Sequence, residues 1–486
     1  MIARTVHSAV ALFALVALPA IPVFAQTYLR VQTSEVAEVG TGCDALGPAR
    51  PRPLAGAASA LDVLAFSGQV LEDGGTLSPV AFVNPATLNR QTAIAFFAQV
   101  DGVDRNQGIF VADASGVHTV VRGCGGAGGS GDPGGACGDR APGGGTFTGF
   151  YAGTFFAPAI NDRGDVLFFA DVYQDGETVR GLHLYLAPSR KIVKVARIGD
   201  ASPRGNGRLV AVGPGSLNNG REVAFLAQGE RSAPGGIDIV RWHDGAVKKV
   251  AAVGDPAPGG GTFSMLGTET VTFANGVTIP VGPLPGINDR DQISFRVNVT
   301  GGVTEQGLIV STKGVNQWYV KAGDVTPAGG TYVDFWAPVL NNASQIAFVG
   351  DFAPAPGSAS SAWFTGSPQG GWRKALGFCD PVGDGQAIGL AVSRNPMRPL
   401  DEDGDLVMWS EVETPAAGMV ETLVVSTADG ILSVIASAGE ATPLGGQIGN
   451  IQTWPSLRAG RGTVSASTPG AAGGVTSAHM VSTDAP

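Results

Sequence analysis

The stretch INDRGDVLFFADV, Ile160 to Val172, holds an Asn-Asp-Arg-Gly turn signal followed by a run that is apolar on both alternating faces. Asn can bond its own backbone and Gly can take a positive φ, so Asn161 to Gly164 reads as a tight turn. Val166 and Phe168 alternate with Leu167 and Phe169, so the next strand is apolar on both sides, as a sheet packed between neighbouring sheets requires. The same pattern recurs as LNRQTAIAFFAQV from Leu88, LNNGREVAFLAQG from Leu217, INDRDQISFRVNV from Ile287, LNNASQIAFVGDF from Leu340 and LDEDGDLVMWSEV from Leu400. A decayed form, LRAGRGTVSASTP from Leu457, brings the number of copies to seven.

A second motif precedes each copy. It reads SGQVLEDGGTL from Ser67, GDRAPGGGTF from Gly138, GDASPRGNGRL from Gly199, GDPAPGGGTF from Gly254 and GDVTPAGGTY from Gly323. It is degraded in CDPVGDGQAI from Cys379 and returns as GEATPLGGQI from Gly439. Between the motifs lie an aromatic-rich first strand ending near a proline, the strand of the opening stretch, and strands such as GLHLYLA and KIVKVARIGD. Four strands with short turns make an antiparallel meander. It cannot bury both faces alone, but radially stacked neighbours can bury them for each other.

The expected fold is therefore all-β, a seven-bladed β-propeller of four-stranded antiparallel blades, the closed solution to exposed sheet edges. The ends support closure. The last unit stops after a third strand, SAHMVST at Ser477 to Thr483, while LDVLAFSGQ from Leu61 is an isolated fourth-strand pattern. Pairing the two closes the ring.

Residues 1–25 read as a signal peptide, with Arg4, an apolar run from about Ala9 to Ala20 and small residues at the exit, cleaved before Gln26. Residues 26–60 form an N-terminal extension and 61–486 the propeller. The run is too short to span a bilayer, so no membrane insertion is expected after cleavage, and the expected location is secreted or periplasmic. Four cysteines outside the cytoplasm predict two disulfides, Cys124 with Cys137 across a Gly-rich loop and Cys43 with Cys379.

LNNGREVAFLAQ and INDRGDVLFF resemble a family of bacterial exported proteins named for a tandem NxxGxxAF repeat, over about residues 61 to 480. The resemblance implies a repeat fold and export, and it brings no catalytic residues. The chain departs from that family in having no anchor-like segment at its C-terminus.

A formal charge of -10 excludes unaided nucleic-acid binding, which needs clustered Lys and Arg. Arg163-Gly164-Asp165 matches an adhesion tripeptide, but the other copies carry Gly220-Arg221-Glu222 and Arg290-Asp291-Gln292 there, which makes it one variant of a repeated turn. Asp401, Asp403 and Asp405 alternate like a calcium loop, yet Leu406 and Val412 stand where an EF-hand needs Gly and Glu. GAGGSG from Gly126 has no strand-to-helix context. His118, His183, His243 and His479 belong to no metal or hydrolase motif and read as surface or packing residues.

The Gly-Asp turns are the main site candidates. In a propeller they fall at equivalent positions on one face, expected near the channel: Gln69, Asp139, Asp200, Asp255, Asp324, Asp380 and Glu440. Either each side chain accepts N–H bonds from its own turn, or several converge on a hard cation such as calcium. No other cofactor is implied. Three irregularities mark places for a partner: the Cys124–Cys137 loop, the insertion Met265 to Gly286, and Cys379, Asp380 and Asp384 with Arg394 and Arg398. The expected function is a non-catalytic binding module for an extracellular protein or glycan. The alternative is a hydrolase or lyase acting on an extracellular polymer through paired carboxylates.

Overall fold

The computed structural model describes residues 60–78, 85–124, 137–151, 154–232, 236–267, 269–272, 278–354, 360–392 and 395–483. Seven antiparallel blades follow one another along the chain, six of them paired in sequence order from an innermost to an outermost strand and the seventh completed from the other end of the described chain. In blade 2 the innermost strand is in two pieces, Thr146–Phe150 and Ala159–Ile160, both paired with Val166–Gln174; Glu177–Leu186 and Lys191–Arg197 lie outside it. Blade 3 has the continuous form, Leu209–Leu217.

The ring closes as the chain ends predict. Leu61–Phe66 pairs antiparallel with Ser477–Ser482 as the outermost strand of blade 7, with Leu61 opposite Ser482 and Phe66 opposite Ala478. Strands near the two ends of the described chain thus share one sheet, which leaves no unpaired seam for another chain to extend.

The opening stretch does what its alternation requires. Val166, Phe168, Ala170 and Val172 pack in one cluster with Phe97 and Ile109 of blade 1, while Leu167 and Phe169 pack in another with Leu217 and Phe225 of blade 3. Each blade is a wall between two cores. Burial at ~25 cal/mol per Å² on both faces of each such strand is the main stabilising term.

The innermost strands of blades 2 to 6 share a feature absent from the sequence pattern. Each breaks register, between Phe147 and Gly149, Leu209 and Ala211, Phe263 and Met265, Tyr332 and Asp334, and Ala387 and Gly389, with a second break in blade 3 between Val212 and Gly215. A bulge adds twist and bends a strand, which suits strands gathered round an axis.

The axis is filled from inside. Met397 of blade 6 packs with Ala157 of blade 2 and Trp454 of blade 7. Asn395 Nδ2 donates to the carbonyls of Leu284 (2.9 Å) and Pro338 (3.0 Å) in blades 4 and 5. The insertion at Met265 to Gly286 forms a hairpin, Glu269–Thr272 with Thr278–Gly282. It lies on the innermost strand of blade 3, where Val271, Ile279 and Val281 join the cluster of Ala211 and Val212. A Cβ at Gly213 would stand 2.1 Å from the Pro280 carbonyl oxygen, so that approach requires glycine.

The Cys124–Cys137 disulfide is present. Cys379 is disulfide-bonded too, and its expected partner, Cys43, lies outside the described residues, as do the signal peptide, the extension to residue 59, the Gly126 stretch, His7 and Arg394. No helix among the described residues is long and apolar enough to cross a membrane.

Candidate functional site: the axial ring and the loop face

The turn that decides the fold also builds a ring around the axis. Asn161 Oδ1 accepts the N–H groups of Arg163 (3.0 Å) and Asp165 (2.9 Å), closing its own turn, while Nδ2 donates to the Asn218 carbonyl of blade 3 at 3.1 Å. The relay begins at Asn89, which donates to the Asn161 carbonyl, and continues from Asn218 to Asn288, Asn288 to Asn341, and Asn341 to the Asp401 carbonyl. A carboxamide carries its acceptor and its two donors on separate atoms, so Oδ1 can hold two N–H groups of its own turn while Nδ2 donates onward to the next blade. That is the physical reason Asn recurs at this place.

The next residue in each copy makes a second ring. Asp162, Asn219, Asp289, Asn342 and Glu402 each accept the backbone N–H of the corresponding residue one blade earlier, at 2.6–3.0 Å. Arg458 of blade 7 completes it, its guanidinium donating to Glu402 Oε1 (2.5 Å) and across to Asp162 Oδ2 (2.7 Å). Arg398 of blade 6 reaches the Leu217 carbonyl of blade 3. Two arginines thus close the axis at this end, leaving a cavity of about 10 Å³, room for roughly one water.

Charge is balanced by proximity. Burial would raise the pKa of Asp162, but Arg458 and the hydrogen bonds hold it below the usual carboxylate range. Burial and the neighbouring Arg458 charge depress Arg398 to about 10, although part of its surface reaches solvent at the mouth. Arg458 loses to burial and gains more from Asp162 and Glu402, so its pKa is raised.

The Gly-Asp side chains lie elsewhere. Each follows the end of an outermost strand and accepts a backbone N–H there: Phe66 to Gln69, Arg122 to Asp139, Arg197 to Asp200, Ala252 to Asp255, Lys321 to Asp324, Gly377 to Asp380 and Ser437 to Glu440, at 2.8–3.2 Å. Lys194, Lys249 and Lys374 on those strands add a second contact to Asp200, Asp255 and Asp380. Burial raises the pKa of Glu440. The structure does not gather these groups. Among the described residues no three His, Cys, Asp or Glu side chains come together so as to hold a metal ion.

The other sequence candidates resolve individually. Asp165 of the Arg-Gly-Asp tripeptide is fully buried, bonded to Arg221 Nε (2.8 Å), Asn161 Nδ2 and the Ala187 N–H. Asp401 Oδ1 accepts from the Asp403 and Asp405 N–H groups as a turn cap, and Asp405 accepts the Ala428 N–H. Asp384 is exposed. His183 is enclosed by Phe147 and Phe168 and accepts from Arg197 Nε; burial, then Arg197, lowers its pKa well below the usual value. Burial lowers His479 to about 3. His118 pairs with Asp113, and His243 with the buried Glu222 and the exposed Asp244, both imidazoles remaining partly exposed.

Two features escaped sequence reasoning. In blade 2, Arg180 Nε donates to the Tyr151 hydroxyl (3.0 Å) and pairs with Asp171 (3.1 Å); burial raises the pKa values of both Tyr151 and Asp171. On the loop face, blades 1 and 2 each hold a groove. The first, about 330 Å³, is lined by Asp73, Asp104, Arg105, Arg122 and Cys137, and the second, about 390 Å³, by Gln174, Asp175, Glu177, Lys194, Arg197 and Asp200. The signal in the sequence was the arginine before the Gly-Asp turn, present in these two copies only.

Residues 135–443 match the model of a family of unknown function, DUF7453. No curated protein matches the chain. Among solved structures, it is similar to an oligogalacturonate lyase in complex with manganese at 11% identity and TM-score 0.44, covering 89% of this chain and 99% of that one. An oligogalacturonate lyase from Vibrio parahaemolyticus aligns at 9% identity and TM-score 0.44, covering 88% and 99%. A puromycin-hydrolyzing peptidase from Mycobacterium tuberculosis aligns at 12% identity and TM-score 0.44, covering 87% of this chain and 55% of that one. At these values none bears on what this chain does.

Proposed function

We propose that this chain, which belongs to the DUF7453 family, is an exported, non-catalytic binding module that presents its loop face to an extracellular partner. The supporting observation is the state of its carboxylates. Each Gly-Asp side chain is held on a backbone N–H of its own turn, and the axial acids Asp162 and Glu402 are held by Arg458. Groups fixed this way shape turns and close the ring. Acid–base catalysis on a polymer needs two carboxyl groups with separated pKa values facing a shared cleft. The Cys124–Cys137 disulfide and the signal-like N-terminus support export, as does the resemblance to exported NxxGxxAF proteins.

The test is a thermal-shift panel on residues 26–486 with calcium, an EDTA control, neutral and acidic glycans and cell-wall fragments, followed by an assay for new chain ends. A ligand that binds the folded state raises the melting temperature. The expected result is a shift without product. Product formation would overturn the reading in favour of a hydrolase or lyase, and the Tyr151, Asp171 and Arg180 cluster is the observation favouring that alternative. Tyr151→Phe would then abolish turnover.

A further inference from the structure

Repeated structural needs recur in every blade, so a binding site is best sought where equivalent positions differ. The residue whose N–H caps the Gly-Asp side chain is Phe66, Ala252, Lys321, Gly377 or Ser437 in five blades, and arginine in blades 1 and 2 alone. Those arginines floor the two grooves. Arg122 forks onto both carboxylate oxygens of Asp73 (2.6 and 3.1 Å) and onto the Gly74 carbonyl; Arg197 reaches the Pro142 carbonyl (2.7 Å) and Gln174 Oε1 (3.4 Å). Gly74 and Pro142 belong to equivalent Gly-rich turns, so one design is made twice in succession.

A second irregularity falls at the same place. The connection from blade 1 to blade 2 carries the disulfide, and it touches both grooves, at Cys137 in the first and Gly143 in the second. The six residue-to-residue steps from Cys137 to Gly143 span at most about 20 Å. One extended ligand can therefore reach from groove to groove.

The lining defines the ligand's chemistry. Its cations already have partners: Arg122 with Asp73, Arg105 with Asp139, and Lys194 with Asp200. An anion would have to displace those carboxylates and pass the exposed Asp104, Asp175 and Glu177, and a cation would meet the arginine floor. A hydroxyl suits both, because it accepts from the remaining N–H groups of the half-exposed Arg105 and Lys194 while donating to a carboxylate, and it leaves the buried Arg122 and Arg197 with their partners. We infer that the grooves of blades 1 and 2 are paired subsites for one neutral, polyhydroxylated chain, an oligosaccharide. This rests on the binding-module reading and names its ligand class.

The experiment is isothermal titration of residues 26–486 with cellohexaose, xylohexaose and maltohexaose, with polylysine as the competing class. The variants are Asp104→Ala for the first groove and Asp175→Gly with Glu177→Ala for the second. These residues are exposed, and glycine suits the positive φ of Asp175, so melting temperature should hold. Linked subsites gain affinity over either alone. At least one hexasaccharide should bind, each groove variant should lose about tenfold or more, and the combined variant should lose binding altogether. Failure of all three hexasaccharides, unchanged affinity in both groove variants, or binding of polylysine alone would overturn the inference. A hexasaccharide that binds through the grooves and is then cleaved would leave the inference standing and overturn the non-catalytic reading.

Discussion

Arg458→Ala tests whether the axial ring is an energetic clasp. The Arg458 side chain is 3% exposed, and its two carboxylate partners, Asp162 and Glu402, are each 15% exposed. Removing one member of a buried ion pair leaves the other charges desolvated, at a cost of about 3–5 kcal/mol, and the residual exposure of both acids argues for the lower end. Spread over the unfolding entropy of a domain of about 420 residues, about 3 kcal/mol lowers the melting temperature by about 3 °C. The pH dependence separates charge from packing. Asp162 has a folded-state pKa below its unfolded value, so its stabilisation is present above the unfolded pKa and is lost as pH falls through the folded one. In Arg458→Ala the largest lowering influence is gone, leaving the Arg90 N–H, Asn219 and Arg398 against burial, so the carboxyl's pKa rises and the variant takes up more of a proton near pH 4 than the wild type does. The penalty measured by urea unfolding should therefore shrink by about 1 kcal/mol or more between pH 7 and pH 4, the free energy of a roughly tenfold change in one carboxyl's proton affinity. A penalty below about 1 kcal/mol at pH 7, or one equal at both pH values, would refute the clasp.

Other consequences are as direct. His183 and His479 are buried with folded-state pKa values below the unfolded one, so the folded state binds fewer protons. Their contribution is present above about pH 6.5 and is lost as pH falls below it; for His479, with its pKa at about 3, the loss is roughly 2 kcal/mol by pH 5, and His479→Gln should remove up to one proton from the slope seen in urea titrations between pH 7 and 5. In the Arg-Gly-Asp turn, Arg163→Ala should change stability by less than about 0.5 kcal/mol, whereas Asp165→Ala strands Arg221 and the Ala187 N–H and should cost about 2–4 kcal/mol in the same assay. Deleting Leu61–Phe66 opens the ring and bares Ser477–Ser482 as an edge, so the truncated chain should self-associate in light scattering where the full chain does not.

How much of this was legible follows from what each feature depends on. The blades were readable because Val166 to Phe169 must satisfy two cores at once, a local requirement written seven times over. Closure was readable because a missing strand at one end and a spare at the other have a single joint remedy. The placement of the acidic residues was not, since a Gly-Asp turn looks the same whether its carboxylate faces the axis or its own strand. The deciding partners, the N–H groups and Lys194, Lys249 and Lys374, are fixed by turn geometry rather than by residue type. The axial ring was half legible. Asn161 announced a turn, but its second bond, to the Asn218 carbonyl 57 residues away, exists only once the blades are stacked. One residue on, the same stacking turns an exposed-looking Asp162 into the partner of an arginine 296 residues distant. A repeat therefore tells most about what every copy must do for itself. It tells least about what the copies do to one another, and the position where arginine stands in two blades out of seven is where its silence is most informative.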